Sequence, residues 1–262
     1  LHRSVEFGDP RRAGAFTVAA AIAAAATVLI RSAGIALVLA AAMWLLKERR
    51  RSRTALFAAI VAVCLLPWML YSRAHAPTPQ ERAAHGGAVV YGYTDQFWMR
   101  WAGSPSFGRI TPAELPARIG TNLVDVFGRD LGGILVPALF RGASESGEEV
   151  VALGGRAGLS AASMGGASET MAISFLFGGI ALLGYFRKIR EHVTVAELLV
   201  PISLAMTLVW PFWSFRFVLP LTPFLYVYLI AGMQTLARGS MRAVRIALLC
   251  VIGLNLYDHG GY

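Results

Sequence analysis

Charge is scarce in this chain. Only 15% of its 262 residues are Asp, Glu, Lys or Arg, and 56% are hydrophobic, whereas a soluble domain is roughly a quarter charged. That imbalance excludes an ordinary soluble globular domain and points to an integral membrane protein. Cysteine is almost missing too. Cys64 and Cys250 both lie in apolar runs, which excludes a disulfide framework and reads as buried thiols. The five histidines, His2, His75, His85, His192 and His259, are scattered without an i, i+4 pair, so no metal site is assigned. No serine sits in a G-x-S-x-G elbow. GGAVVYGY lacks the strand-then-helix setting of a nucleotide loop, and no cofactor is expected. The chain opens on Leu1 with no signal-peptide pattern. HRSVEFGDPRR reads as a polar loop leading into a helix, and the expectation is a fragment that lacks its amino-terminal portion.

What the sequence does have is long apolar runs. A bilayer crossing needs about 20 apolar residues, or fewer in short paired helices. Seven candidates appear, at 13–30, 32–46, 54–72, 169–186, 193–212, 215–236 and 243–257. The first two abut at Arg31-Ser32. A single helix over 13–46 would be about 50 Å long, too long for a hydrocarbon core of about 30 Å, so a tight hairpin is expected instead. With the hairpin in place, the basic residues sort by side. Arg3, Arg11 and Arg12, then Lys47, Arg49, Arg50, Arg51 and Arg53, then Arg187, Lys188 and Arg190, and finally Arg238, Arg242 and Arg245 share one face with only five acids, Glu6, Asp9, Glu48, Glu191 and Glu197. The other face is neutral, so the whole surplus of +9 falls on one side, as the positive-inside rule requires of a cytoplasmic face. Nucleic acid is not needed to explain the charge.

The resulting expectation is an all-α membrane protein of about seven transmembrane helices. Residues 1–72 form a cytoplasmic lead-in and three helices, 73–168 one large periplasmic loop, and 169–262 four more helices. The localisation that follows is a bacterial inner membrane with the active face periplasmic. Within the loop, TPAELPARIGTNLVDVFGRDLGGILVPALF repeats apolar residues at Leu115, Ile119, Leu123, Phe127, Leu131 and Leu135. That i, i+4 row predicts an amphipathic juxtamembrane helix over 111–140, lying on the membrane surface and started by Thr111-Pro112. The small, polar stretch that follows, 141–170, reads as a flexible loop with partial order around 150–153.

Three arginines acquire a common address from this topology. Arg31 is at the tip of the first hairpin, Arg73 at the outer end of the third helix, and Arg216 inside PFWSFRFVLPLTPF at the outer turn between the fifth and sixth helices. An unpaired arginine in hydrocarbon costs roughly 3 kcal/mol or more, and a planar guanidinium fork suits a lipid phosphate. Snorkelling to headgroups is the plainer alternative for each. Pro220 and Pro223 are expected to bend the sixth helix and open backbone around a groove. A second cluster, YGYTDQFWMRWAG, combines Tyr91, Tyr93 and Trp98 with Asp95, Gln96 and Arg100, a composition suited to sugar or acceptor contacts or simply to docking the loop on the bilayer. Asp95 is its only acid, able to orient a hydroxyl or act as a base. One lone carboxylate leaves the catalytic residue unassigned.

Three stretches resemble elements of the multi-spanning GT-C class glycosyltransferases, which include protein O-mannosyltransferases and aminoarabinose transferases. IRSAGIALVLAAAMWLL resembles their TRPEG-then-apolar-helix element, LLPWMLYSR their PW-x-x-R element before the large periplasmic loop, and FWSFRFVLPLTPFLYVYLIAG their R-Y-x-L-P-x-x-P helix. The helix at 111–140 is similar to their juxtamembrane helices, and the resemblance runs from about residue 11 to 236. It implies a glycosyltransferase that moves a sugar from a polyprenyl-phosphate donor to an acceptor of unknown identity at the periplasmic face. Arg216 with Arg31 or Arg73 would hold the lipid phosphate, and membrane lipids would be further partners. The family's acidic base lies in a first periplasmic loop to which nothing here corresponds, so this chain alone is expected to lack it. The competing expectation is a non-enzymatic membrane protein, a permease or an assembly partner.

Overall fold

The computed structural model describes residues 10–85, 91–101, 107–136, 164–211, 215–238 and 240–259. They are helical almost throughout. Among the described residues no strand forms, only an isolated antiparallel bridge between Met99 and Arg109. All seven apolar runs become helices: α1 Pro10–Ile30, α2 Ile35–Lys47, α3 Arg51–Ala74, α8 Met164–Glu191, α9 Val195–Val209, the segment α10 Phe215–Val218 with α11 Thr222–Leu236, and α12 Met241–His259. Among the described residues four stretches are long and apolar enough to cross a membrane: Arg12–Ile30, Arg51–Ala74, Met171–Glu191 and Phe215–Leu236. Ser32–Lys47, Val195–Val209 and Val244–Gly253 are apolar but shorter. Between α3 and α8 in the chain come α4 Pro79–His85, α5 Tyr93–Trp98, α6 Leu115–Asp125 and α7 Leu131–Leu135.

Packing divides the chain into two discontinuous units, Leu1–Arg118 with His192–Phe212, and Ile119–Glu191 with Trp213–Tyr262. In the first, α1 runs up to Ile30 and reverses through a 3₁₀ turn, Ser32–Gly34. Gly34 permits the reversal, because a Cβ there would lie 2.6 Å from the Thr27 carbonyl carbon. The second reversal, at 48–50, is a Schellman turn: the Arg50 amide donates to the Leu45 carbonyl and the Arg49 amide to that of Leu46. Arg49 takes the left-handed position usually given to glycine, at φ 54°. Two successive reversals make α1 and α3 parallel neighbours with α2 antiparallel to both. Ala21, Ala24, Ala41, Trp44, Leu45, Phe57 and Val61 fill the space between them, with Val195 and Leu198 of α9 against the same cluster.

In the second unit α8 and α11 cross at contact distance through glycines. A Cβ on Gly184 would lie 1.8 Å from the Tyr228 carbonyl oxygen, and one on Gly232 would lie 1.9 Å from that of Ile180. Lipid tails give apolar helices no hydrophobic drive to associate, so close backbone approach of this kind supplies the packing energy. The helix expected over 111–140 is segmented. A 3₁₀ turn at Pro112–Glu114 leads into α6, a π-turn occupies Val126–Asp130, and α7 ends at Leu135, with 137–140 outside the described residues. The Leu131 amide donates to the Val126 carbonyl in i, i+5 register. At the next step the Ser174 hydroxyl of α8 stands between the backbone groups, accepting from the Gly132 amide at 3.0 Å and donating to the Phe127 carbonyl at 2.7 Å. An inserted hydroxyl is a recognised cause of such a ladder defect.

The apolar row seen in the sequence is not the row this helix buries most evenly. Leu123 stays 44% exposed, whereas Arg118, Asn122, Val126 and Asp130, one row over, are all buried. The stretch read as a flexible loop over 141–170 lies outside the described residues as far as 163, positions 150–153 included. Residues 164–170 instead form the first turns of α8.

Candidate functional site

Arg31 and Arg73 lie at the same end of the first unit, because α1 and α3 run parallel and each arginine closes its helix. Arg31 is exposed and extended at φ −150°, ψ 124°. Arg73 is exposed in the last turn of α3. Beside it Trp68, Tyr71 and His75 form an outward ladder: Trp68 and Tyr71 stack with centroids 5.8 Å apart, Tyr71 and His75 at 4.2 Å. Lys47, Arg49, Arg50 and Arg51 cluster at the opposite end, around the second reversal. Arg216 belongs to the second unit, exposed in the short helix α10. The helix after it breaks where the prolines stand, with a 3₁₀ turn at Leu219–Leu221 holding Pro220, and with Pro223 in the first turn of α11.

The loop cluster at 91–100 is more tied down than its sequence suggests. Asp95 offers one carboxylate oxygen to Arg82 and the other to Arg109, each at 3.1 Å. A carboxylate clamped between two guanidiniums is a scaffold group; to act as a base it would have to give up those bonds. Arg82 also lies over the Tyr91 ring, 5.9 Å from its centroid. The Gln96 amide donates to the Tyr91 carbonyl at 2.8 Å. Arg100 donates to Glu114 at 2.5 Å. Glu114 also accepts from the Thr111 amide at 2.8 Å and its hydroxyl at 3.0 Å. The Thr111 backbone bond, then the bonds from Arg100 and the Thr111 hydroxyl, hold the Glu114 carboxyl down at about 2. Of the six residues expected here, Asp95, Gln96 and Arg100 brace the fold. Tyr93 is 62% exposed, its ring 6.0 Å from that of Trp210, and Trp98 packs edge-on to Phe97 at 4.9 Å.

Sequence reading missed the residue on which this cluster rests. Arg118 is buried and donates to the carbonyls of Phe97 at 2.6 Å, Met99, and Val209 at 3.5 Å. It ties the end of α5 and the residue after it to the end of α9 within the first unit. No group of three or more His, Cys, Asp or Glu suited to a metal ion occurs among the described residues.

The chain matches no protein-family model, no curated protein and no solved structure.

Proposed function

We propose that this chain belongs to a GT-C-like membrane sugar transferase that uses a polyprenyl-phosphate-linked donor. It would cross the membrane seven times, with Arg31, Arg73 and Arg216 on the outer, periplasmic face of a bacterial inner membrane. The acceptor hydroxyl attacks the anomeric carbon, the bond from that carbon to the phosphate oxygen breaks, and polyprenyl phosphate leaves. The hydroxyl proton goes to a carboxylate acting as general base, for which no residue of this chain is assigned. The arginines act where charge grows on the leaving phosphate. The observation that carries the reading is the pairing of Arg31 and Arg73 at one end of two parallel, span-grade helices, opposite the basic cluster at 47–51. The order of the three family-like stretches and the proline-broken helix after Arg216 support it.

The test uses the full-length protein and a polyprenyl-phosphate sugar. Arg216→Ala and Arg73→Ala should each lower turnover by about 100-fold or more, the usual cost of removing one charge-stabilising donor, while the melting temperature holds. Wild-type turnover in both variants removes the phosphate assignment. The double-clamped Asp95 favours a second reading, a non-enzymatic membrane protein whose loop is a rigid docking element. That reading gains if the full-length chain has no acid in its first outer loop.

A further inference from the structure

The carboxy-terminal ends of α8 and α11 enclose a feature that the transferase reading does not use. A surface groove of about 410 Å³ is lined by Leu183, Phe186, Arg187, Arg190, Glu191 and Thr235. Its wall is apolar, with Phe186 51% and Leu183 37% exposed. Its rim is cationic but unevenly committed. Arg187 donates to Glu191 at 2.9 Å and reaches the Ala231 carbonyl and the Gln234 amide oxygen, both at 3.4 Å. Lys188 takes the other Glu191 oxygen at 2.8 Å. Glu191 is therefore satisfied twice over by its own helix. Arg190 is exposed, and its guanidinium makes no hydrogen bond or ion pair with any described residue.

An open guanidinium beside an exposed apolar wall, at the end of a helix apolar enough to span a bilayer, selects an amphiphile with an anionic head. We infer that this groove binds an anionic phospholipid, with its phosphate on Arg190, flanked by Arg187, and an acyl chain along Phe186 and Leu183. A free phosphate would leave the apolar wall uncovered, and a zwitterionic lipid would leave the cationic surplus unanswered. The groove is not the proposed donor site. Arg216 opens the helical segment that Thr235 nearly closes, which places the two roughly 30 Å apart along it.

The experiment measures lipid retained by the purified chain in detergent, by native mass spectrometry, after addition of phosphatidylglycerol or phosphatidylcholine. Wild type should retain at least fivefold more phosphatidylglycerol, and Arg190→Ala should fall to the phosphatidylcholine level with an unchanged melting temperature. Arg51→Ala, an exposed arginine of the other unit, should retain the wild-type excess. Millimolar inorganic phosphate should leave retention unaltered. Equal retention of the two lipids, an unaffected Arg190→Ala, an equal loss in Arg51→Ala, or displacement by phosphate each overturns the assignment. None of these readouts depends on sugar transfer, so the transferase reading can fail while this one stands.

Discussion

Glu114 shows how single side chains hold the loop cluster. Its carboxylate closes the turn at Thr111 and receives Arg100, and it titrates at about 2 instead of the ordinary 4.5. A depressed acid contributes stability that is fully present above the unfolded value and is lost as pH falls through the folded one. The contribution from Glu114 is therefore constant above about pH 4.5 and fades between there and about pH 2. Glu114→Gln should melt below wild type at pH 6, and the gap between the two should close as the pH is lowered through that window. Melting curves at a series of pH values read this directly, and a gap that stays constant down to pH 2.5 removes the assignment. Arg118 marks the limit of legibility at this scale. In sequence it stands among polar residues of an amphipathic helix and reads as solvated. Only the fold shows it buried against the Phe97 and Met99 carbonyls, because the partners lie about twenty residues away and are backbone groups that any sequence supplies.

At the scale of elements the apolar runs are a dependable guide, since a continuous apolar stretch has few alternatives to a helix in a membrane protein. The run at 215–236 has the bounds of the observed segment. The run at 169–186 is too short at both ends. Positions 164–168, Met-Gly-Gly-Ala-Ser, lie ahead of the run yet are helical, and 187–191 extend the helix through helix-favouring charged residues with i, i+3 and i, i+4 ion pairs. The π-turn is not legible, since it depends on Ser174, distant in sequence, and α5 leans on Arg118; α4 is opened by a local cap between Thr78 and Glu81 and is too short and polar to register as an apolar run. The α8–α11 crossing supplies a test. Gly184→Ala drives a methyl into the Tyr228 carbonyl, and the helices must separate, at a cost of about 3 kcal/mol. Gly179 is on the same helix with nothing within 4 Å of its would-be Cβ. Gly179→Ala should therefore be neutral or stabilising by up to about 1 kcal/mol, through helix propensity alone. Thermal unfolding of the two variants in detergent gives the comparison, and equal melting temperatures would mean the glycine contact is not what joins the helices.

For the whole molecule the number of crossings turns on the three short apolar helices, and α2 is the one that sets the orientation of Arg73. Its 13 residues rise only about 20 Å against a hydrocarbon core of about 30 Å. By length it falls short, and on that ground four stretches among the described residues, not seven, qualify. Two observations argue for a crossing nonetheless. The reversals at 32–34 and 48–50 set Ser32 and Ser52 at opposite ends of α2. The basic residues are also segregated onto one side only if α2 crosses, since otherwise the cluster at 47–53 shares a face with Arg31. A short helix packed between two longer ones is tolerated by local thinning of the bilayer, at a fraction of a kcal/mol per Å of mismatch. The prediction is made in a background with Cys64→Ser and Cys250→Ser, because both native thiols sit in apolar helices. Ser32→Cys and Ser52→Cys, both at exposed positions, should then react with a membrane-impermeant maleimide from opposite sides, Ser32→Cys in intact cells and Ser52→Cys only in inverted vesicles. Labelling of both from one side would make α2 a re-entrant element and reverse the orientation of α3, with Arg73 at its end. It would also separate Arg31 from Arg73 across the bilayer and with that dissolve the phosphate site, so this one pair of labels tests the topology and the functional reading together.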